Sequence, residues 1–404
     1  MTHEFDAIVI GGGPAGAATA GLLAKAGRSV AVFEMREFPR FQVGESLIPA
    51  VNLILGRLGV LDRMDDFGFP RKYGVQFISE RGPGRPFYFE EASDSRMHQT
   101  WQVVRSDFDA MLLDHAGSCG ATVETRTHVT GLETDGEAVT GVYVRREGSP
   151  DRHVRARVVI DASGQKGLLA RKFGGREHIA GLENTAVYAH WENAALDCGK
   201  DAGSTLIYRI NRSSWIWFIP LPDTVSIGLV APAERIAAQS GSPAEILDEA
   251  IAGFPLLAER LKGARRTMEV KVAPDFSYRA KFDGGEGWLL VGDALGFMDP
   301  IYSTGLYLAM KSAEIAGDAV DAAMASSTGG ALASFSGWSA EYQEAFDRFR
   351  VLVEAYYREG FSFSRLSRDD DLRRGLVDLL TGIVDSKWAE MVTEEIRSLS
   401  SQSA

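Results

Sequence analysis

The first thirty residues constrain the fold more than any other part of this chain. The stretch "FDAIVIGGGPAGAATAGLLAKAGRSVAVFE" holds an apolar run at 7–10, a glycine turn, an Ala- and Leu-rich segment and a second apolar run ending at Glu34. Short β-branched runs are typical of buried parallel strands, and the Ala-rich segment stops at Gly27, a residue type common just past helix ends. This order predicts the strand–turn–helix–strand unit of a doubly wound α/β domain.

The glycines of the turn have the spacing of a dinucleotide site. Gly11, Gly13 and Gly16 form G-x-G-x-x-G, and Glu34 follows Gly16 by 18 residues. Gly11 permits the tight turn, Gly13 lets the backbone approach a pyrophosphate, and Gly16 lets helix and strand pack closely. The helix N-terminus faces the anion, and the Glu34 carboxylate is placed to bind a ribose hydroxyl. The unit therefore predicts a dinucleotide site, with FAD and NAD both open.

Composition and charge exclude several classes of function. The 404 residues exceed one ordinary core, and the net charge of -12 disfavours nucleic acid and anionic membranes, which attract Lys and Arg. Cys119 and Cys198 form no C-x-x-C pair and no metal-ligand spacing, so neither a redox dithiol nor a metal site is expected. No secretory signal and no apolar run of about 18 residues is seen, so we expect a cytoplasmic protein.

Three later segments decide between the cofactors. "VVRSDFDAMLLDHA" (103–116) places Arg105 where a strand end meets a helix, within reach of a cofactor phosphate. "ARVVIDASG" (156–164) is an apolar strand, and "GWLLVGDALGFMDPIYSTGLYLAMKSAEIAGDAV" (287–320) is a strand, a loop and a long helix. In this order the set resembles the flavoprotein monooxygenase superfamily, over roughly residues 5–330.

This resemblance implies FAD as the cofactor. In the superfamily, the aspartate matching Asp293 contacts the ribityl region of FAD. The helix after Gly305 points its N-terminus at the isoalloxazine, where its dipole stabilises negative charge. Ala15, Arg40 and Arg105 are further expected FAD-binding residues. Because no second G-x-G-x-x-G opens a helix after a predicted strand, electrons must come from outside or from weak direct contact with a nicotinamide, and we expect a separate flavin reductase to supply reduced FAD.

Four motifs narrow the resemblance to the flavin-dependent halogenases. They are "EFPRFQVGESLIPAV" (37–51), "GFPRKYGVQF" (68–77), "SSWIWFIPLPD" (213–223) and "DPIYSTG" (299–305). "WIWFIP" matches the halogenase W-x-W-x-I-P signature, and "DPIYSTG" matches the halogenase D-P-x-x-S-x-G loop. The chain departs from the longer tryptophan halogenases and shows no counterpart of a further catalytic glutamate that they carry. The resemblance is thus to the phenol and pyrrole type.

The halogenase resemblance implies a reaction and a set of site residues. Reduced FAD and oxygen oxidise chloride or bromide to hypohalous acid, which reaches a lysine and then an electron-rich aromatic ring in secondary-metabolite or antibiotic biosynthesis. Lys72 matches that lysine, and Ser46 lies in the loop expected against the flavin. Trp215 and Trp217 are expected to form a wall between flavin and ring. The expected halide cradle consists of Ser303, Thr304 and Gly305.

Each of these features also has an ordinary structural interpretation. A lysine such as Lys72 is usually solvated, and tryptophans at alternate positions usually fill a core. Ser303 and Thr304 could cap a helix, and Glu45 could be a local ion-pair partner. Two other functions stay open: an aromatic monooxygenase or reductase on the same fold, in which the substrate meets the flavin directly, and a non-catalytic flavoprotein scaffold.

The chain is expected to divide into three parts of an α/β architecture. The first is a Rossmann-like FAD-binding domain of the glutathione-reductase and p-hydroxybenzoate-hydroxylase type, followed by a substrate-side sheet domain and a C-terminal helical region. The expected bounds are 1–70, 103–182 and 270–330 for the first part, 71–102 and 183–269 for the second, and 331–404 for the third. If 213–223 is a strand, Trp215, Trp217 and Ile219 share one face.

The substrate side is less determined by the sequence. An aromatic cluster at 356–363 is equally compatible with lining a substrate chamber and with ordinary packing. The ring is expected free or tethered to an acidic acyl-carrier domain. Two basic segments, "RHVRAR" (152–157) and "RLKGARR" (260–266), are candidate docking patches for such a carrier. We expect a monomer or a homodimer.

Overall fold

The computed structural model of this chain describes residues 4–273, 277–326, 332 and 334–401. Within these residues the strands, in chain order, are β1 (Phe5–Ile10), β2 (Val30–Phe33), β3 (Arg71–Lys72), β4 (Gly74–Ser79), β5 (Gly82–Pro83), β6 (Phe87–Tyr88), β7 (Thr100–Trp101), β8 (Thr122–Glu124), β9 (Thr127–Asp135), β10 (Ala138–Arg146), β11 (Arg152–Asp161), β12 (Arg176–His178), β13 (Asn184–Glu192), β14 (Thr205–Arg209), β15 (Trp215–Pro220), β16 (Val225–Pro232), β17 (Arg265–Arg266), β18 (Lys271–Ala273), β19 (Tyr278–Ala280), β20 (Gly284–Gly285), β21 (Trp288–Leu290) and β22 (Gly296–Phe297). The α-helices are α1 (Pro14–Lys25), α2 (Val51–Leu58), α3 (Arg105–Ser118), α4 (Leu168–Phe173), α5 (Ala233–Ala238), α6 (Pro243–Ala252), α7 (Pro255–Arg260), α8 (Gly305–Ser326), α9 (Ala340–Tyr357), α10 (Phe363–Leu366), α11 (Asp370–Thr381) and α12 (Lys387–Ser401).

The first sheet is the doubly wound core that the N-terminal sequence predicts. Its strand order is β20-β21-β11-β1-β2-β8, and β1 pairs in parallel with both β2 and β11. Helix α1 begins at Pro14, directly after the glycine turn. A Cβ on Gly16 would collide with the carbonyl oxygen of Gly11, so only glycine allows this close helix–strand contact. The α/β fold class is confirmed.

The second sheet faces the first across the molecule's main cavity. Its order is β17-β13-β16-β15-β14-β4-β5, and β14 runs parallel to β4 while the central pairs are antiparallel. Trp215, Trp217 and Ile219 on β15 belong to the main core, whereas Ile216 and Phe218 belong to a separate core under α6 and α7. The predicted alternation of faces is therefore confirmed.

The C-terminal region is helical, as expected, and packs against the first sheet's helices. Helix α9 contacts α8 and α12, and α11 pairs with α12. Helix α11 is capped by the Asp369 side chain, which accepts from the backbone N–H groups of Asp371 and Leu372. Across the described residues, no helix is both long and apolar enough to cross a membrane. The bounds of the three-part division stay a prediction.

Candidate active site

A cavity of about 470 Å³ lies between the two sheets and collects most of the predicted site residues. One end is formed by the turn after β1, and the other by the tryptophan face of β15. The predicted residues on its wall are Gly11, Gly13, Ala15, Glu34, Arg40, Ser46, Arg105, Trp215, Trp217, Asp293, Ser303 and Gly305. Gly16, Lys72 and Thr304 are not among the described residues that line the cavity, and Lys72 meets the wall through Ser46, so their predicted roles stay predictions.

The glycine turn leaves an anion-binding helix N-terminus open to this cavity. Gly11 has a φ of 104°, in the left-handed region that favours glycine. Gly13 caps α1 without any side-chain hydrogen bond. A Cβ on Gly13 would lie 3.4 Å from Nη2 of Arg40, so a guanidinium closes over the turn. Free N–H groups and a nearby cation suit a pyrophosphate.

Two arginines at this end share one buried carboxylate. Arg105 donates from Nε and Nη2 to Asp109 at 2.8 and 3.0 Å, and Arg40 donates from Nη1 to Asp109 at 3.1 Å. Asp109 is fully buried. Two cations around one carboxylate leave positive charge at the cavity for a phosphate. Sequence reasoning missed Asp109, although its i+4 spacing from Arg105 on one helix was a usable signal.

Glu34 is held at the cavity wall by two backbone donors. The N–H of Gly12 donates to Oε2 at 2.7 Å, and the N–H of Arg36 donates to Oε1 at 2.7 Å. A carboxylate has about four acceptor sites, so further sites remain for ribose hydroxyls. The predicted position of Glu34 at the end of β2 is confirmed, and its contact with a ribose stays a prediction.

Asp293 lines the cavity, and the ribityl chain is expected beside it. Burial raises its pKa to about 6, against the lowering effect of the Arg105 and Arg176 guanidiniums. The open helix N-terminus, the two cations, Glu34 and Asp293 together fit FAD. The tryptophan face of β15 forms another part of the same cavity wall.

The two tryptophans of β15 are fixed by different partners. Trp217 Nε1 donates to Ser226 Oγ at 3.1 Å, and Trp215 Nε1 donates to Tyr357 Oη at 2.7 Å. The ring of Trp217 occupies the space that a side chain on Gly228 would need. Their ring centroids are 6.1 Å apart. Both indoles therefore form one rigid surface, and whether that surface separates flavin from Lys72 stays a prediction.

Lys72 is buried rather than solvated, which contradicts its ordinary surface interpretation. Its side chain is 2% exposed, and Nζ donates to Ser46 Oγ and to the Leu47 carbonyl, both at 2.9 Å. Nζ also lies 5.4 Å from the centroid of the Phe89 ring. Burial lowers the pKa of Lys72 to about 7. An amine with this pKa exists in both protonation states near neutral pH.

Ser46 and Thr205 connect the cavity to Lys72. Ser46 Oγ lies 2.9 Å from Thr205 Oγ1, and both residues line the cavity. Gln102 Nε2 donates to Thr205 Oγ1 at 2.8 Å. Next to them, Glu45 Oε1 lies 2.9 Å from His190 Nε2, so Glu45 has a local hydrogen-bond partner on β13. Thr205 and Gln102 carried no signal in the sequence, because strand pairing alone brings them here.

The loop at 299–305 ends in a strained turn and a helix N-terminus. Asp299 accepts from the Ile301 N–H, and Ser303 has a φ of 59°. Thr304 is buried, and its Oγ1 has no hydrogen-bond partner among the described residues. Gly305 begins α8, whose first N–H groups lack intrahelical acceptors. The loop therefore offers unused donors beside the cavity.

The candidate carrier-docking patches prove to be neutralised by acidic neighbours. In the second patch Arg260 pairs with Asp197, and Arg266 pairs with Asp248. The other pairs of the two patches are Arg152–Glu124, Arg155–Glu133, Arg157–Asp6, Lys262–Glu259 and Arg265–Glu192. Among the described residues lining the cavity, none comes from the aromatic cluster at 356–363. That cluster packs instead against Phe77 and Tyr302.

Comparison with known proteins gives consistent relatives. The family model described as "FAD binding domain" matches residues 4–331. A 1H-pyrrole-2-carbonyl-[peptidyl-carrier protein] chlorinase of Pseudomonas fluorescens is 30% identical, covering 98% of this chain and 93% of the relative. The corresponding brominase of Pseudoalteromonas luteoviolacea is 34% identical, covering 80% of this chain and 78% of the relative. The solved structure of a flavin-dependent brominase superposes with a TM-score of 0.89 at 30% identity, covering 99% of both chains.

Proposed function

The chain belongs to the flavin-dependent halogenases of the FAD-binding domain family, and we propose that it halogenates a pyrrole-2-carbonyl group held on a peptidyl-carrier domain. The two relatives named for that carrier-bound ring match most of this chain, and one is a chlorinase and the other a brominase. The observation that carries the proposal is the arrangement of the cavity. A dinucleotide end, a tryptophan surface and a buried lysine behind Ser46 meet around one space.

The nucleotide end of the cavity is proposed to hold FAD. Arg40 and Arg105, positioned by Asp109, would neutralise the pyrophosphate above the N-terminus of α1. Glu34 would accept from the ribose, and Asp293 would contact the ribityl chain. When bound in reduced form, FAD would give two electrons to oxygen, which in turn oxidises halide to hypohalous acid by two electrons. A separate flavin reductase is the proposed source of the electrons that reduce FAD.

The loop at 299–305 is proposed to hold the halide. The N–H groups of Thr304 and Gly305 belong to the N-terminal end of α8, where the helix dipole favours an anion. The Thr304 hydroxyl, which has no hydrogen-bond partner within the described part of the chain, would supply one further donor. Ser303 and Gly305 line the cavity, so an anion at these groups would face the flavin site. Helix capping by the loop and halide binding are compatible.

Lys72 is proposed to hold the hypohalous acid and deliver its halogen. The oxidant would enter past Ser46, which lines the cavity and already accepts from Lys72. The ammonium donates directional hydrogen bonds, and the lowered pKa of Lys72 also makes the nucleophilic amine available. The indoles of Trp215 and Trp217 would keep the pyrrole from the flavin while letting the small oxidant pass. Direct contact of substrate with flavin would instead give a hydroxylase.

The test supplies purified protein with FAD, a flavin reductase, NADH and either chloride or bromide. The substrates are a carrier domain loaded with pyrrole-2-carbonyl and, in parallel, free pyrrole-2-carboxylate and simple phenols, with products read by mass spectrometry. Halogen incorporation into the carrier-bound ring is expected. Halogenation of a free phenol alone would contradict the proposed substrate, and hydroxylation without halogen would contradict the proposed roles of the loop and the tryptophans.

The lysine is tested separately with Lys72→Ala. We expect loss of halogenation while flavin reoxidation and peroxide release continue, because Lys72 does not line the cavity that would hold FAD. Retained halogenation would show that another group delivers the halogen. The halide loop is tested with Gly305→Ala, whose Cβ would lie 3.0 Å from the Phe297 ring. A raised halide KM is expected in that variant.

A further inference from the structure

Tyr357, the last residue of α9, joins two parts of the cavity that are far apart in sequence. Trp215 Nε1 donates to Tyr357 Oη at 2.7 Å, and Tyr357 Oη donates to Asp299 Oδ2 at 2.8 Å. Asp299 Oδ2 also accepts from Asn184 Nδ2 at 2.9 Å, while Oδ1 accepts from the Ile301 N–H at 3.1 Å. One phenol therefore connects the tryptophan surface to the first residue of the 299–305 loop.

The chemistry of these groups fixes the direction of the chain. An indole N–H is a donor only, and an ionised carboxylate is an acceptor only. The group between them must therefore accept one hydrogen bond and donate another, which a phenol does and a phenylalanine cannot. Asp299 is fully buried, so its bonds to Tyr357 and Asn184 are made without competition from bulk water.

The end of α9 is itself held against the tryptophan strand. Arg209 Nη2 donates to the Tyr356 carbonyl at 3.0 Å, and Arg212 Nε donates to the Tyr357 carbonyl at 3.0 Å. The last carbonyls of a helix lack intrahelical donors and attract cations, so these two arginines satisfy them. Arg209 ends β14, and Arg212 lies in the turn between β14 and β15. These two hydrogen bonds therefore hold the backbone at Tyr357 in place independently of its hydroxyl.

We propose that Tyr357 is a positioning residue that holds the Trp215 indole and the 299–305 loop in one geometry, making the C-terminal helix α9 part of the active site. This inference rests on the proposed role of that loop as the halide site. Loss of the hydroxyl leaves Trp215 without its acceptor and Asp299 without one of its donors. The expected consequences are weaker halide binding and escape of oxidant past a loosened tryptophan surface.

The neighbouring residue supplies a matched control. Tyr356 is the preceding tyrosine of α9 and is buried, whereas Tyr357 is partly buried, and the Tyr356 hydroxyl has no hydrogen-bond partner among the described residues. Tyr357→Phe and Tyr356→Phe therefore remove the same hydroxyl from adjacent positions. The Tyr357 hydroxyl belongs to the chain of hydrogen bonds between Trp215 and Asp299, and the Tyr356 hydroxyl does not. Removing an unpartnered buried hydroxyl costs little stability, whereas removing a bonded one leaves its partners unsatisfied.

The experiment compares both variants with the wild-type protein loaded with FAD, using chloride and bromide as the varied ligands. For Tyr357→Phe we expect the halide KM to rise about tenfold, the scale of losing one hydrogen bond to a charged group. Flavin reoxidation without halide should stay at the wild-type rate, and the share of oxidant trapped by monochlorodimedone should increase. Tyr356→Phe should match the wild type in all three measurements.

A readout independent of catalysis is the indole N–H resonance of Trp215, assigned with Trp215→Phe. It should move upfield in Tyr357→Phe and stay in place in Tyr356→Phe. An unmoved resonance, or an unchanged halide KM and oxidant share in Tyr357→Phe, would overturn the inference. Gly305→Ala separates this failure from failure of the halide site. If the halide binds elsewhere, Gly305→Ala also keeps the wild-type halide KM. If only the role of Tyr357 is wrong, Gly305→Ala still raises the halide KM while Tyr357→Phe does not.

Discussion

Lys72 Nζ donates a 2.9 Å hydrogen bond to Ser46 Oγ, and of these two residues Ser46 is the one on the cavity wall. The lysine is therefore one hydrogen bond behind the space in which the oxidant would form. This arrangement shields the amine from bulk solvent and places Ser46 between the amine and the cavity.

Burial of Lys72 should make stability depend on pH in a defined window. Its pKa falls from an ordinary value of 10.5 to about 7 in the folded chain. Between these values the unfolded chain binds a proton that the folded chain does not, so folding stability rises with pH. Lys72→Met removes this contribution. The free energy of unfolding of Lys72→Met, relative to that of the wild type, should therefore fall by up to about 1.4 kcal/mol per pH unit from pH 7 to 9.

The measurement is the difference in free energy of unfolding between variant and wild type at pH 6, 7, 8 and 9. Below pH 7 both states bind the proton, so the difference should level off there. Lys262→Met is the control, because Lys262 is an exposed residue paired with Glu259. A difference for Lys72→Met that is as flat as the control's would contradict the burial of its charge.

Thr205 should matter for halogenation through its hydroxyl rather than its shape. Thr205→Val keeps the volume but leaves Ser46 and Gln102 without a shared partner. We expect halogenated product per flavin oxidised to drop about tenfold, since one buried hydrogen-bond network loses its central member. Thr205→Ser retains the hydroxyl and should keep most of the yield. Equal yields from both variants would show that the hydroxyl is not used.

Gly228 should be intolerant of any side chain because of Trp217. A Cβ at this position would collide with the indole, so Gly228→Ala must displace the ring or the strand. Overpacking of this kind typically costs about 1–3 kcal/mol. Gly131→Ala is the control, because its Cβ would lie 3.5 Å from the Tyr143 side chain, an ordinary contact. Thermal unfolding and oxidant leakage should both change in Gly228→Ala and stay near wild type in the control.

Glu34 should contribute to FAD affinity through its charge. In Glu34→Gln one backbone donor, from Gly12 or Arg36, faces an amide N–H instead of an oxygen. We expect the Kd for FAD to rise about tenfold, as for loss of a hydrogen bond to a charged group. Flavin fluorescence quenching measures this value. Glu37→Gln, on an exposed residue paired with Arg126, should bind FAD like the wild type.

Local patterns in the sequence determined the parts of the fold that depend on near neighbours. The β1–α1–β2 unit and the alternation of faces on β15 were both predictable, because turn chemistry and strand pleat act over a few residues. Much of the cavity wall was also predictable from the sequence. G-x-G-x-x-G, Asp293 and the loop at 299–305 each lie at the end of a regular element, which a local pattern marks. The resemblance of four motifs to those of flavin-dependent halogenases then indicated the type of reaction.

The tertiary structure alone decided which polar groups meet. Lys72 is buried because β3 pairs with β7 and places its side chain against Ser46, contacts that the sequence does not mark. The basic segments looked free in the sequence, yet distant carboxylates neutralise them. Tyr357 reaches Asp299 across 58 residues of chain. Hydrogen bonds and ion pairs need partners at about 3 Å, and chain separation carries no information about that distance.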